Sequence, residues 1–203
     1  MISEVFNEDC MIGMARYPDK YFDLAVVDPP YGLDSDSLNG RGKLKGRAIQ
    51  MDTTWDIAPP VEYFTELSRI SKNQIIWGGN YFDLPPTRCV IAWDKCQPWE
   101  NFSQWEMAWT SFDSPAALFR FDNRTGGKIH PTQKPVELYD WLYKRFILNG
   151  GKVIDTHLGS GSNRIAANKA GNIDFTGFEI DKDYFEAQEK RWKAFIAQTR
   201  LFG

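Results

Sequence analysis

The sequence has little of what staples a secreted or metal-built fold. Its three cysteines, Cys10, Cys89 and Cys96, are odd in number and none stands in a CxxC spacing, so neither a disulfide framework nor a thiolate zinc site is expected. Two histidines, His130 and His157, are too few for a metal cage, and no metal is expected. No apolar run approaches the roughly 18 residues of a membrane span, and the N-terminal MISEVFNEDC has neither a basic stretch nor a long apolar one. An excess of positive charge is also missing: 24 Lys and Arg against 27 Asp and Glu leave a formal net charge of −3. That excludes a uniform polycation, yet a local basic strip is enough for nucleic acid. There is no internal repeat and no low-complexity tract. The expectation is a soluble cytoplasmic protein with no membrane contact.

With 203 residues, 42% hydrophobic and 25% charged, the chain has the composition of a folded protein rather than a disordered one. Its length suits one domain over residues 1–203, with roughly 70% of the unfolded surface buried. Short apolar runs alternate with helical periodicity, the pattern of an α/β domain. Candidate strands are Glu4–Phe6, Phe22–Val27, Gln74–Trp77, Arg88–Trp93, Gln104–Thr110, Lys152–Asp155 and Phe175–Glu179. Leu24–Val27 and Val90–Trp93 are apolar at every position, which predicts strands covered on both faces. Candidate helices are Cys10–Tyr17, Val61–Ser71, Val136–Leu148, Ser162–Ala170 and Asp183–Gln198. Thr132 is a candidate N-cap for the third of these, and Asp181 or Asp183 for the last. One stretch breaks the pattern: Gly32–Asp56 is long, rich in Gly, Asp, Ser and basic residues, and reads as a functional or mobile loop.

Three motifs carry chemistry. Asp28-Pro29-Pro30-Tyr31 directly follows an apolar strand. The Pro29 carbonyl and the Asp28 carboxylate are two acceptors, and Tyr31 adds a flat aromatic face. Together they suit an exocyclic amino group on a planar ring. The bland reading is a rigid turn with a packing tyrosine. The second motif, Asp155-Thr156-His157-Leu158-Gly159-Ser160-Gly161-Ser162, lies between a strand and a helix, where glycines let a ligand approach a helix N-terminus. Glu179, at the end of the next strand, is 20 residues beyond Gly159, the spacing at which an acid meets ribose hydroxyls. A dehydrogenase would want a third glycine where Arg164 stands, and is disfavoured. The third motif is His130-Pro131-Thr132-Gln133-Lys134-Pro135, just before a strong helix.

These motifs in this order, with GFEIDKDYFEAQEKR from Gly177 to Arg191, resemble the β-class of DNA amino-methyltransferases, especially small phage and prophage adenine methylases. The resemblance runs from about Glu4 to Arg191. In most methyltransferases the glycine loop precedes the catalytic tetrapeptide; here Tyr31 comes first, the permuted order of this DNA-modifying group. The resemblance implies a seven-stranded, mostly parallel Rossmann-like sheet with helices on both faces. It implies S-adenosylmethionine as cofactor, touched by Asp9, Asp28, Lys134, Asp155, Gly159, Ser160, Gly161, Ser162 and Glu179. Asp28, Pro29, Pro30 and Tyr31 would be catalytic. One departure stands out: the family loop commonly begins Asp-Pro-Phe, and Thr156 and His157 replace Pro and Phe.

The implied reaction is methyl transfer to the N6 amino group of adenine in double-stranded DNA, on a base flipped out of the helix. Asp rather than Ser before Pro-Pro favours adenine over cytosine N4 as a family tendency. No cysteine follows a proline, so cytosine-C5 chemistry is not expected. DNA contact falls to Arg41, Lys43, Lys45 and Arg47, a run without an acid, with Arg120, Arg124 and Lys128 a second candidate. About 20 residues separate the Trp109 strand from His130, so no large recognition domain is expected. Trp77, Trp93, Trp105, Trp109 and Trp192 read as core, while Trp55 and Trp99 are better candidates for contact. Open alternatives are N4-cytosine methylation, a non-catalytic cofactor-binding partner subunit, and methylation of RNA or protein. A homodimer is expected from the family, and a restriction-modification role is compatible with it.

Overall fold

The structure, a computed structural model, describes residues 2–33, 57–98, 103–122, 129–130 and 132–202. The expected basic run Arg41, Lys43, Lys45 and Arg47 lies outside these residues, as do Arg124, Lys128, Trp55 and Trp99. The elements in order are β1 (Ser3–Phe6), α1 (Cys10–Met14), β2 (Phe22–Val27), α2 (Val61–Ile70), β3 (Ser71–Trp77), a 3₁₀ turn (Gly79–Tyr81), β4 (Val90–Asp94), β5 (Trp105–Thr110), β6 (Ala117–Arg120), α3 (Val136–Phe146), β7 (Gly151–Asp155), α4 (Ser162–Ala170), β8 (Ile173–Phe178) and α5 (Lys182–Phe202). All eight strands form one sheet in the order β1-β8-β7-β2-β3-β5-β4-β6. Every neighbouring pair is parallel except those made by β5, which runs against β3 and β4.

The count corrects the seven strands expected. The extra one, Ala117–Arg120, is a four-residue edge strand beside β4, with its residues alternating between half-buried and exposed. So short a run, one of whose faces is wet, carries too little apolar signal to read as a strand.

Local chemistry explains the better-read elements. In β2, Leu24 and Val26 join one apolar cluster with Leu138 and Leu142 of α3 and Ala166 of α4. The alternate residues Ala25 and Val27 join the other, with Met14 of α1 and Tyr63, Leu67 and Ile70 of α2. A strand's side chains alternate across the sheet, so a strand apolar at every position belongs between two helical layers. β4 corrects the same expectation: Ile91 and Trp93 are buried, while Val90 and Ala92 are only half-buried. Asp181 caps α5, accepting from the Asp183 and Tyr184 amides at 2.8 and 3.0 Å. Thr132 caps nothing; α3 starts from Pro135, whose φ of −69° suits a helix entry.

The sheet creates one crevice by its connectivity. From β2 the chain crosses through α2 to β3 on one side, and from β7 through α4 to β8 on the other. Between the adjacent β2 and β7 the connections diverge, and in such sheets ligands sit at the carboxyl ends of those strands. Asp28 follows the end of β2 and Asp155 is the end of β7.

On α1, Gly13 faces the buried Phe178 ring, and a Cβ there would lie 2.3 Å from it. Alanine would gain roughly 1 kcal/mol of helix propensity, but overpacking a ring that cannot retreat costs about 1–3 kcal/mol. Gly13→Ala should therefore lower stability in urea unfolding; a raised midpoint would contradict this packing.

Candidate functional site

A cavity of about 750 Å³ opens at that crevice, within the roughly 300–1,000 Å³ typical of ligand sites. One end is lined by Leu158, Gly159, Ser160, Glu179, Ile180 and Tyr184, the other by Asn80, Tyr81, Trp105, Glu106 and Met107. Asp28, Pro29, Pro30, Tyr31 and Lys134 also line it.

At the glycine end, the Gly159 amide donates to Glu179 Oε2 at 2.8 Å, and the Asp181 amide to Oε1 at 3.0 Å. Two backbone donors fix the carboxylate at the cavity wall, and burial raises its pKa. Gly161 has φ +70° and lies under Gln188, where a Cβ would approach to 3.2 Å. From α5, Arg191 donates to the Ser160 carbonyl and to Ser162 Oγ at 2.8 and 2.9 Å, bracing the loop from behind.

At the other end, the tetrapeptide is locked into a charge cluster. Asp28 Oδ1 accepts from the Tyr31 hydroxyl at 2.7 Å, and Oδ2 is paired with Lys134 Nζ. Lys134 also lies 3.2 Å from Glu106 Oε2, and Glu106 is paired in turn with Lys95. Burial alone would lower the Lys134 pKa, but Asp28 and Glu106 outweigh it and hold the ammonium charged. Burial would raise Glu106, but Lys134 and Lys95 outweigh that and keep it ionised. Burial, and then the Asp28 charge, push the Tyr31 phenol well up, so it stays a neutral donor. The Tyr31 ring stacks on Tyr81, with centroids 4.9 Å apart and planes at 20°. Gly78, at φ +68°, lies so close to Tyr31 that a Cβ would fall 2.2 Å from its ring.

The structure thus brings Asp28, Pro29, Pro30, Tyr31, Lys134, Gly159, Ser160 and Glu179 to one cavity. Four expected cofactor residues do not line it. Asp9 caps α1, accepting from the Met11 amide at 2.7 Å. Asp155 is buried beneath the loop, accepting from Asn163 Nδ2 at 2.9 Å and the His157 amide at 3.1 Å. Gly161 and Ser162 form the turn behind it. Trp105, expected in the core, is 54% exposed at the cavity mouth. Glu106, Tyr81 and Ile180 were missed: a lone acid in an apolar strand, or an aromatic after Gly-Gly-Asn, has no motif to single it out. The Thr156-His157 departure has a local answer. The Thr156 and Tyr63 hydroxyls share a hydrogen bond of 2.6 Å, and His157 packs edge-on against Tyr63.

Among the described residues no group of three or more His, Cys, Asp or Glu is placed to hold a metal, and no helix is long and apolar enough to cross a membrane.

The fold has solved counterparts. The PvuII DNA methyltransferase (cytosine-N4-specific) aligns with TM-score 0.63 at 12% identity, covering 93% of this chain and 86% of that one. The structure of M1.HpyAVI with SAM aligns with TM-score 0.61 at 17% identity, covering 94% of this chain and all of the other. At these identities the likeness defines the class, an α/β fold of the DNA methyltransferase type. In sequence, YubD of Escherichia coli (strain K12), a protein named as a methylase, is 26% identical over 95% of this chain and 91% of its own length. The type II methyltransferase M2.DpnII of Streptococcus pneumoniae is 27% identical over 74% of this chain, which spans about half of that protein's length, 53%. The profile of the N6/N4 DNA methylases matches residues 76–190, more than half of the chain. The chain belongs to the N6/N4 DNA methylase family.

Two buried neighbours under the glycine loop titrate in opposition. Burial pushes Asp155 up to about 7, and burial pushes His157 down to about 4. The raised acid favours folding fully below its unfolded value near 4, and loses that contribution as pH rises through about 7. The lowered base favours folding above about 6.5, and loses its contribution as pH falls through about 4. In wild type the two largely offset each other between these limits. Asp155→Asn should therefore become more stable from pH 4.5 to 6.5, and His157→Gln less stable, in urea titrations; parallel slopes would contradict this pairing.

Proposed function

We propose that the chain is a single catalytic domain, residues 1–203, that methylates the N6 amino group of adenine in double-stranded DNA, as a small phage-type enzyme with the permuted β-class motif order. The observation that carries the reading is the shared cavity: the acceptor tetrapeptide and the acid-and-glycine loop open into the same space.

The residues at the glycine end fit a nucleoside-bearing cofactor. Glu179 has a carboxylate fixed at the wall for ribose hydroxyls, Gly159 has no side chain to narrow the approach, and Ile180, 70% exposed, offers an apolar surface beside them. Glu179, Gly159, Ser160 and Ile180 would hold S-adenosylmethionine, which supplies a methyl group activated on a sulfonium. Asp9, Asp155, Gly161 and Ser162 then support the loop and the neighbouring helix from outside the cavity.

The rest is done by the chain's own groups. An exocyclic amine conjugated to a ring is a poor nucleophile. Asp28 and the Pro29 carbonyl accept its two hydrogens, favour a pyramidal nitrogen and return the lone pair for attack. Tyr31 packs against the flipped base, and its hydroxyl steadies Asp28 at 2.7 Å. As the N–C bond forms, Asp28 is placed to take the proton that the amine sheds. Holding nitrogen and methyl in line supplies most of the remaining acceleration. Asp before Pro-Pro supports adenine over cytosine N4. The run Arg41, Lys43, Lys45 and Arg47 is proposed for phosphate contact on its sequence alone, and a homodimer and a restriction-modification setting remain proposals from the family.

Asp28→Ala tests the reading. Transfer of labelled methyl to unmethylated genomic DNA should fall by about 10²-fold or more, in line with loss of general-base and electrostatic help. Cofactor affinity, followed calorimetrically, should change only a few-fold. Full activity in this variant would overturn the assignment.

A further inference from the structure

At Asp28 the target amine has a competitor. Asp28 Oδ2 is paired with the buried Lys134 ammonium, on the carboxylate that must accept the target amine's hydrogens. A lysine with no other anion within reach would hold that oxygen with its full charge. Lys134 does have another anion. Glu106 Oε2 is 3.2 Å from Nζ, buried, and out of line for a hydrogen bond to it or to any other described group. The other Glu106 oxygen is paired with Lys95. Four charges of alternating sign, Lys95, Glu106, Lys134 and Asp28, thus converge from the ends of β4, β5 and β2 and from the segment before α3, with Lys134 over the Trp77 ring at 5.2 Å.

Resting on the methyltransferase reading above, we propose that Glu106 is a positioning residue for the transfer: by sharing the Lys134 ammonium it limits that cation's hold on Asp28 and leaves the carboxylate able to accept the amino hydrogens. Glu106 acts through Lys134 and need not touch the base. The groups coupled directly to Asp28 from the surrounding elements are Tyr31, Lys134, His130, Asp155, Tyr63 and Tyr139, and Glu106 reaches it through Lys134. Of these only Glu106 acts by drawing Lys134 away.

Two substitutions pull in opposite directions. E106Q leaves Lys134 to Asp28 alone and tightens its grip on the carboxylate. K95M leaves Glu106 to Lys134 alone and loosens the grip on Asp28. Steady-state transfer to unmethylated genomic DNA should be followed from pH 5 to 9, with thermal unfolding and cofactor affinity alongside. The acidic limb of kcat reports the essential base in the bound complex. E106Q should lower kcat about tenfold, a difference set by one lost interaction, with KM for the cofactor nearly unchanged and the acidic limb moved to lower pH. K95M should move that limb to higher pH, and E106D should recover part of the E106Q loss. Unmoved limbs in both E106Q and K95M, with wild type active, would overturn the proposal. So would limbs that move the same way, or a rate loss that merely follows lost stability. If E106Q fails to fold, the upward shift in K95M decides. An inactive wild type would count against the methyltransferase reading itself.

Discussion

The burial of one cation holds this site together. Lys134 is almost wholly out of water, its side chain 2% exposed, and an ammonium so placed costs several kcal/mol unless anions meet it. Asp28 and Glu106 meet it from strands that are not neighbours in sequence, and Trp77 closes a face. The segment before α3 is thereby drawn over the carboxyl end of β2 and the amino end of the antiparallel β5, and the cavity acquires a wall. Removing either anion would leave a charge uncompensated, so the cluster is a constraint on the sheet's upper edge as much as a feature of the site.

The same cluster shapes the chemistry proposed. A carboxylate that accepts hydrogen bonds must stay ionised and must not be saturated by its own protein. Tyr31 is held neutral by burial and donates one bond; Lys134 keeps its charge and is divided between two acids. At the opposite end Glu179 is fixed by two backbone amides. The two ends are built differently, with side-chain ions around Asp28 and backbone donors around Glu179, yet share one cavity because β2 and β7 lie at the point where the sheet's connections diverge.

Much of this was legible in the sequence. β2 ends on the apolar run Leu24–Val27, β7 carries Val153 and Ile154 ahead of Asp155, and β8 ends on Phe178 just before Glu179, so the apolar strand ends and the motifs that follow them agreed. The glycine turn, Glu179 and the tetrapeptide each carry their own local signal. What was not legible depends on which way a residue faces or on contacts far apart in sequence. Asp9 lies at a helix cap and Asp155 is buried under the loop, so neither lines the cavity. Trp105 sits on a strand like its buried relatives, yet faces the cavity mouth. Glu106 is one acid in an apolar strand, and its meaning appears only when Lys134 is folded against it. Ala117–Arg120 pairs with β4 through backbone bonds that its four side chains do not announce.

The proposed transfer is measured most directly by mass spectrometry of nucleosides from unmethylated DNA incubated with the purified protein and S-adenosylmethionine. N6-methyladenine is the expected product, with no methylated base when the donor is omitted. N4-methylcytosine would keep the fold and the acceptor chemistry but contradict the base; no methylated nucleoside, with cofactor still bound, would contradict the catalytic reading and favour a partner subunit or a substrate other than DNA.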